Sequence, residues 1–162
     1  MSVLASHRKE SKWEPIVYSE QLHGELIDLL QRDFGIKDVT KIVRRRYWQS
    51  DTFEEELSRY GYLLYESKRR LDGLASLLTS NLRAANSIYP TTMHEYEQRR
   101  DFQNFALVNC EQIIKELQHV VATFYVDFNA FKTVNSMIER EIRLIRKWRQ
   151  RDNRIKQQVQ DG

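Results

Sequence analysis

The sequence predicts an all-α protein, an antiparallel helical bundle of four main helices that are long and coiled-coil-like. Two observations favour this class. Glycine and proline are scarce, with five and two residues among 162, whereas turn-rich β folds need many of both. Apolar residues also recur at helical spacing along most of the chain. Because 41% of the residues are apolar, the chain can fill one core of its own, and we expect one domain.

We place this single bundle domain at residues 13–158. Residues 1–12 are polar and basic and lack periodicity, which is typical of a flexible basic arm. A solvated tail is the simpler interpretation of this arm, and contact with a phosphate backbone is the alternative. Residues 159–162 are predicted to be a frayed tail.

The first helix is predicted to begin near Pro15, which the first helical turn tolerates, and to end near Asp33. Gly35 then indicates a left-handed residue behind the helix.

A short basic helix or turn follows at residues 38–48, where four cations adjoin two aromatic residues. These residues are Lys41, Arg44, Arg45, Arg46, Tyr47 and Trp48. Guanidinium groups bind phosphates and aromatic rings stack on bases, so the segment is a candidate nucleic-acid site. The alternative is that the two rings plug one end of the bundle while the arginines are solvated.

The second helix is predicted to begin at a capping-box pattern within residues 51–55 and to end near Ser87. Apolar residues recur in it at seven-residue intervals, which predicts a coiled-coil seam. The seam consists of Leu57, Leu64, Leu71, Leu78 and Ala85. Gly61 and Gly73 each weaken a helix, so we expect them where neighbouring helices cross closely.

The third helix is predicted to begin at Thr92, which forms a capping box with Glu95. Cys110 falls on its buried face, where a thiol serves as a small apolar group. A turn is predicted near residues 127–129, although it contains neither glycine nor proline. Without that turn the third and fourth helices would form one rod, and the bundle would become an extended coiled coil. The fourth helix is expected to continue to about Gln157.

The positive charge is concentrated at the C-terminus. Residues 138–162 contain eight Lys and Arg and four acids, a net charge of +4, so the total of +3 leaves −1 for the rest of the chain. At about 100° per residue, five cations of the last helix fall on one narrow side, which we call the cationic stripe. The stripe consists of Arg140, Arg143, Lys147, Arg151 and Arg154. Arg146, Arg149 and Lys156 widen this basic side, while the isoleucines and Trp148 fall opposite and predict a buried half.

This stripe is the strongest functional signal in the chain. Solvated helix faces usually mix charge signs so that residues four apart pair, whereas every stripe residue is cationic and repels the next. A polyanion would relieve that repulsion, so we predict nucleic acid as the partner, either RNA or single-stranded DNA. The predicted binding residues are Arg140, Arg143, Arg146, Lys147, Arg151 and Arg154, together with Arg44, Arg45, Arg46, Tyr47 and Trp48. The alternatives are a solvated face and an acidic protein surface, as for a helical small subunit of a CRISPR effector or a phage adaptor.

Signals for catalysis are weak, and we expect no enzyme, no metal and no cofactor. Phosphate-binding glycine loops, nucleophile elbows and cysteines at metal-binding spacing are missing from the sequence. Glu20 with His23, and Glu116 with His119, match the Glu-x-x-His spacing of di-iron bundles. Helical angles place the second pair on the outward side of its helix, which disfavours a metal centre.

The cysteine content and hydropathy predict a cytoplasmic protein with no membrane span. One cysteine allows no intrachain disulfide, and no secretory signal precedes the predicted fold. The most apolar run is shorter than the roughly 20 residues that a span needs.

The last helix resembles a known family. Its repeat of Ile138, Ile142, Ile145 and Trp148 with adjoining Arg146, Lys147, Arg149 and Arg151 is similar to the accessory variability determinant proteins of diversity-generating retroelements. The matching residues lie within about a fifth of the chain. This resemblance implies a four-helix bundle that partners a reverse transcriptase and binds its template RNA, as an accessory subunit of a nucleoprotein complex. The family is pentameric, and the long heptad seam independently predicts spare apolar surface and a homo-oligomer.

Overall fold

The computed structural model describes residues 13–36, 38, 43 and 52–160. This part of the chain contains four long α-helices, which confirms the predicted all-α class. They are α1 (Glu14–Gln31), α2 (Phe53–Ser87), α3 (Met93–Phe124) and α4 (Lys132–Gln160). Short 3-10 turns at Asp33–Gly35 and Phe128–Phe131 follow α1 and precede α4. The predicted arm at residues 1–12 lies outside the described residues.

The four helices form a closed ring in which each packs antiparallel against the next, and α4 packs against α1. Two contacts between aromatic side chains show the relative direction of α1 and α4. Trp13, before α1, packs edge-on against Trp148 with ring centres 5.7 Å apart, and Phe34, after α1, lies 6.0 Å from Phe131. Since Trp148 follows Phe131 in the chain, α1 and α4 run in opposite directions. Hydrogen bonds between the other neighbouring helices follow the same antiparallel order.

The predicted heptad seam forms the α2 side of the core. Four of its residues are buried, namely Leu64, Leu71, Leu78 and Ala85, and Leu57 is half-buried. Cys110 on α3 is fully buried and free, as its seam position predicts. The capping box that begins α3 is also confirmed, since Glu95 N–H donates to Thr92 Oγ1 at 3.3 Å and Thr92 N–H donates to Glu95 Oε2 at 3.1 Å.

The turn between α3 and α4 is present without glycine or proline. Tyr125 ends α3 in the left-handed conformation, at φ +53°. The Asp127 side chain then accepts a hydrogen bond of 3.0 Å from Asn129 N–H, which caps the next turn. Phe131 is fully buried behind this turn and anchors it to the core. The chain is therefore a bundle and not an extended rod.

The expected role of Gly61 and Gly73 at helix crossings is wrong. Both glycines are exposed, and a Cβ built on either would meet no atom within 4 Å. They face solvent, and other residues of α2 make the contacts between helices. Gly35 differs, because its φ of +79° is one that other residues rarely adopt. The predicted left-handed residue behind α1 is thus confirmed.

Substitution of alanine for an exposed helical glycine and for Gly35 should have opposite effects on stability. Gly73→Ala should raise the free energy of unfolding by about 0.5–1 kcal/mol, because alanine restricts the unfolded chain and adds no clash. Gly35→Ala is the matched control and should lower stability by about 1 kcal/mol, because of its positive φ. Urea unfolding followed by circular dichroism measures both, and a destabilised Gly73→Ala would contradict the exposed placement.

Candidate functional site

The cationic stripe lies on the outer side of α4, along the edge next to α1. Its five residues and Arg146 are all exposed. Arg140 and Arg154 bound the stripe fourteen residues apart, which corresponds to about 21 Å along a helix. One straight helix therefore carries a row of accessible positive charge.

Two aromatic residues at the start of α1 contact arginines of the stripe. The guanidinium carbon of Arg140 lies 4.6 Å from the ring centre of Tyr18, and that of Arg151 lies 4.7 Å from the Trp13 ring centre. Cation–π contacts at exposed sites are worth about 0.5–1 kcal/mol and restrict both side chains. Trp13 and Tyr18 are not among the predicted site residues, because nothing local to either residue indicates that α4 will lie beside it.

Ion pairs neutralise little of the stripe. Arg140 Nη2 lies 3.7 Å from Glu14 Oε1, and both side chains are more than half exposed. Such a pair contributes at most about 1 kcal/mol. Within the part of the chain that the structure describes, the other four stripe residues and Arg146 have no ion-pair partner. Their charges remain available to a ligand.

An open groove of about 560 Å³ runs between the stripe and the first turn of α1. Cations line its α4 wall, whereas its α1 wall holds one acid and one proline. The lining residues are Glu14, Pro15, Leu144, Lys147, Gln150, Arg151 and Arg154. An open groove lined by three cations and one acid suits an anion and lacks the enclosure of a small-molecule pocket.

The buried side of α4 is held by Asp152, one of the four acids in the C-terminal charge count. Asp152 is only 4% exposed. Arg99 on α3 donates Nε to Asp152 Oδ2 at 2.8 Å and Nη2 to Oδ1 at 2.9 Å, and Gln103 Nε2 donates to Oδ2 at 2.7 Å. A two-point pair of this kind fixes orientation as well as distance. It anchors the C-terminal part of α4, which continues to Gln160, three residues beyond the predicted helix end near Gln157.

Glu141 is a second buried acid on α4, and its environment is different. It is fully buried, and neither carboxyl oxygen has a hydrogen-bond partner among the described residues. Burial raises the pKa of Glu141 to about 8, the negative charge of Glu14 adds to this, and Arg140 opposes it. The Cys110 thiol lies in the same region, since burial first and then the charge of Glu141 raise the pKa of that thiol.

These two acids change the charge balance of the outer face. The count of four acids in residues 138–162 includes Glu141 and Asp152, which both face the core. Of the other two, Glu139 is exposed and Asp161 lies outside the described residues. The surface that α4 presents is therefore more cationic than the sequence count indicates.

The second predicted binding segment comprises residues 44–48. Arg44, Arg45, Arg46, Tyr47 and Trp48 lie outside the described residues. Val43, just before them, is described and is fully buried in the core. The segment therefore follows a residue that is anchored in the bundle.

The two Glu-x-x-His pairs belong to separate surface contacts. His23 Nε2 lies 2.8 Å from Asp72 Oδ1, and Arg70 Nη2 donates to Glu116 Oε1 at 2.8 Å. Glu20 pairs with Arg83. Among the residues the structure describes, no cluster of three or more His, Cys, Asp or Glu could hold a metal ion.

The comparisons with known proteins give no match. No family model, no curated protein and no solved structure matches the chain. The resemblance of the last helix to the accessory variability determinant proteins therefore stays a prediction. None of the helices described here combines the length and the apolar content that a bilayer span requires.

Glu141→Gln should stabilise the protein in a pH-dependent way. Because the pKa of Glu141 is raised to about 8 in the folded chain, above the ~4.3 of an exposed glutamate, the folded chain keeps a proton that the unfolded chain releases. The stability of the wild type should fall as pH rises from about 4 to about 9. The glutamine variant lacks this loss and should be more stable at pH 9 by on the order of 3–5 kcal/mol, but nearly equal at pH 4.

Urea unfolding at several pH values measures this difference. Glu139→Gln is the matched control, since Glu139 lies two residues away and is exposed, and it should show no such dependence. Equal pH profiles for Glu141→Gln and the wild type would contradict the burial of an unpartnered carboxyl group.

Proposed function

We propose that the chain is a non-catalytic accessory subunit that binds nucleic acid through the cationic stripe, within a larger nucleoprotein complex. One observation carries the proposal. Five cations lie in an exposed row, and four of them have no ion-pair partner among the described residues. The preference for RNA over DNA rests on the resemblance of the last helix, which also implies a reverse transcriptase as the larger partner.

The spacing of the stripe favours a single strand. Successive stripe residues are three or four positions apart, which separates them by about 5–6 Å along the helix. This interval is similar to the separation of consecutive phosphates on an extended strand, so neighbouring cations can meet neighbouring phosphates. The phosphates of a duplex instead follow a helical path that leaves a straight row after a few contacts.

Charge crowding gives the stripe a reason to bind a polyanion. Each stripe cation lies three or four residues from the next, so like charges are neighbours on one helix face and repel one another. Phosphates bound along the stripe would reduce this repulsion, and the stripe cations would displace the condensed counterions of the strand. Arg149 lies outside the stripe, because it is half-buried and Arg100 Nη1 on α3 donates to its carbonyl at 2.9 Å.

Salt dependence of binding tests the proposal. Binding of fluorescently labelled single-stranded RNA, single-stranded DNA and duplex DNA is measured by fluorescence anisotropy at several salt concentrations. Five phosphate contacts predict a slope of roughly −3 to −4 on a single strand, which is about a hundredfold loss of affinity between 50 and 200 mM salt. Absent or salt-insensitive binding to all three ligands would refute the proposal.

A matched pair of triple variants tests the location. Arg143, Lys147 and Arg154 make no ion pair within the described residues, so their joint change to glutamine should leave the fold intact. It should reduce the salt slope by about 2 units. The control changes Arg59, Arg69 and Arg83 on α2 to glutamine. These three cations are exposed and form surface ion pairs, and their change lowers the net charge by the same amount as the stripe triple. Equal losses in both triples would assign binding to net charge and not to the stripe.

The same variants separate an acidic protein surface from nucleic acid as the ligand. If the stripe contacts protein, the Arg143, Lys147 and Arg154 triple should lose co-purification of a protein partner while any nucleic acid retained by the wild type stays bound. A loss of nucleic-acid binding with protein partners retained supports the proposal.

A further inference from the structure

We infer that the chain forms a two-fold symmetric homodimer through the outer face of α2 and α3. This face lies opposite the cationic stripe, because the ring order of the bundle places α2 and α3 across from α4 and α1. The inference therefore uses none of the residues to which we assign nucleic-acid binding. We call this surface the α2–α3 face, and it includes Leu77, Phe105 and Val108.

The α2–α3 face carries most of the exposed apolar side chains. Among the described residues and apart from tyrosines, five large apolar side chains are exposed, and three of them lie here. Leu77 is 53% exposed, Phe105 55% and Val108 46%, whereas Ile27 and Phe128 lie elsewhere. Such a concentration on one face of a bundle is typical of an interaction surface.

These apolar side chains lie on adjoining parts of α2 and α3. Phe105, Val108 and Gln112 follow one another at intervals of three and four residues, which places them on one side of α3. A shallow groove between the helices has Leu77 and Gln112 among its lining residues. One helical turn after Leu77, Asn81 Nδ2 donates to Asn109 Oδ1 at 2.8 Å, which links α2 and α3.

Four charged or titratable side chains of α3 on this face are arranged symmetrically about Val108. Asp101 and Lys115 lie seven residues before and after Val108, and Glu97 and His119 lie eleven before and after it. Both intervals return to the same side of a helix, and all four side chains are exposed. Neither Asp101 nor Lys115 has an ion-pair partner in the part of the chain that is described.

A two-fold axis through Val108 makes both ends of the face complementary. In that arrangement the two α3 helices run antiparallel, so Asp101 meets Lys115 of the partner subunit, and Glu97 meets His119 of the partner subunit. Each pair occurs twice, as an isologous interface requires. A foreign partner of one charge sign would be attracted at one end and repelled at the other, which favours a second copy as the occupant.

The face is also large enough for a stable dimer. Helices α2 and α3 contain 35 and 32 residues, which makes each about 50 Å long. Packed roughly 8–10 Å apart, they present more than the ~800 Å² per partner of a standard interface.

Light scattering coupled to size-exclusion chromatography tests the dimer on protein freed of nucleic acid. The wild type should elute with twice the 19.5 kDa mass of one chain, and Phe105→Asp should give the monomer. Phe128→Asp is the matched control, since Phe128 is 59% exposed but lies in the turn before α4, and it should remain dimeric. A monomeric wild type, an assembly larger than a dimer, or equal effects of the two variants would overturn the inference.

A charge swap tests the two-fold symmetry of the dimer without replacing an apolar side chain. Asp101→Lys and Lys115→Asp should each weaken the dimer by about tenfold or more, because each places like charges opposite one another. The double variant restores both pairs and should regain the wild-type dissociation constant. A double variant as weak as the single variants would overturn the inference, and circular dichroism checks that every variant keeps its helix content.

Discussion

The buried pair between Arg99 and Asp152 is the contact on which the presentation of the stripe depends. Arg99 also donates Nη1 to the Ile88 carbonyl at 3.0 Å and lies 5.1 Å from the ring centre of Trp148. One side chain thus joins α3, the segment after α2 and the buried face of α4. Because a shift of one residue turns a helix by about 100°, this contact determines which side of α4 faces solvent. A misplaced register would direct Lys147 and its neighbours into the core, where an unpaired charge is costly.

The two buried acids of α4 have different effects on the stability of the fold. Asp152 is matched by a guanidinium and an amide, so its charge is compensated. Glu141 has no such partner, and its raised pKa means that the folded chain accommodates it best as a neutral acid. Both nevertheless have the same effect on the surface, since neither carboxylate is placed among the stripe cations. Segregation of acids from bases across one helix thus comes with a local loss of stability at Glu141.

Local patterns predicted the fold well because helix boundaries and seams are encoded by nearby residues. The box of Thr92 with Glu95 begins α3 as expected, and the stripe of α4 follows directly from its 3.6-residue period. Contacts between distant residues could not be predicted in this way. Trp13 and Tyr18 belong to the candidate site only because α1 packs beside α4. In the C-terminal charge count Asp152 and Glu141 are two of four acids, and nothing local indicates that they are buried. Because acids are rarely buried, only the packing of α4 on the other helices reveals it.

The two proposed surfaces would determine how many strands one assembly binds. In a dimer joined through the α2–α3 faces, the two cationic stripes lie on far sides, separated by the thickness of two bundles. A short oligonucleotide of five or six phosphates would then occupy one stripe, and each copy would bind independently. A long strand that reaches both stripes would gain from the high effective concentration of the second site. The dependence of affinity on strand length therefore links the two faces physically, although each rests on different residues.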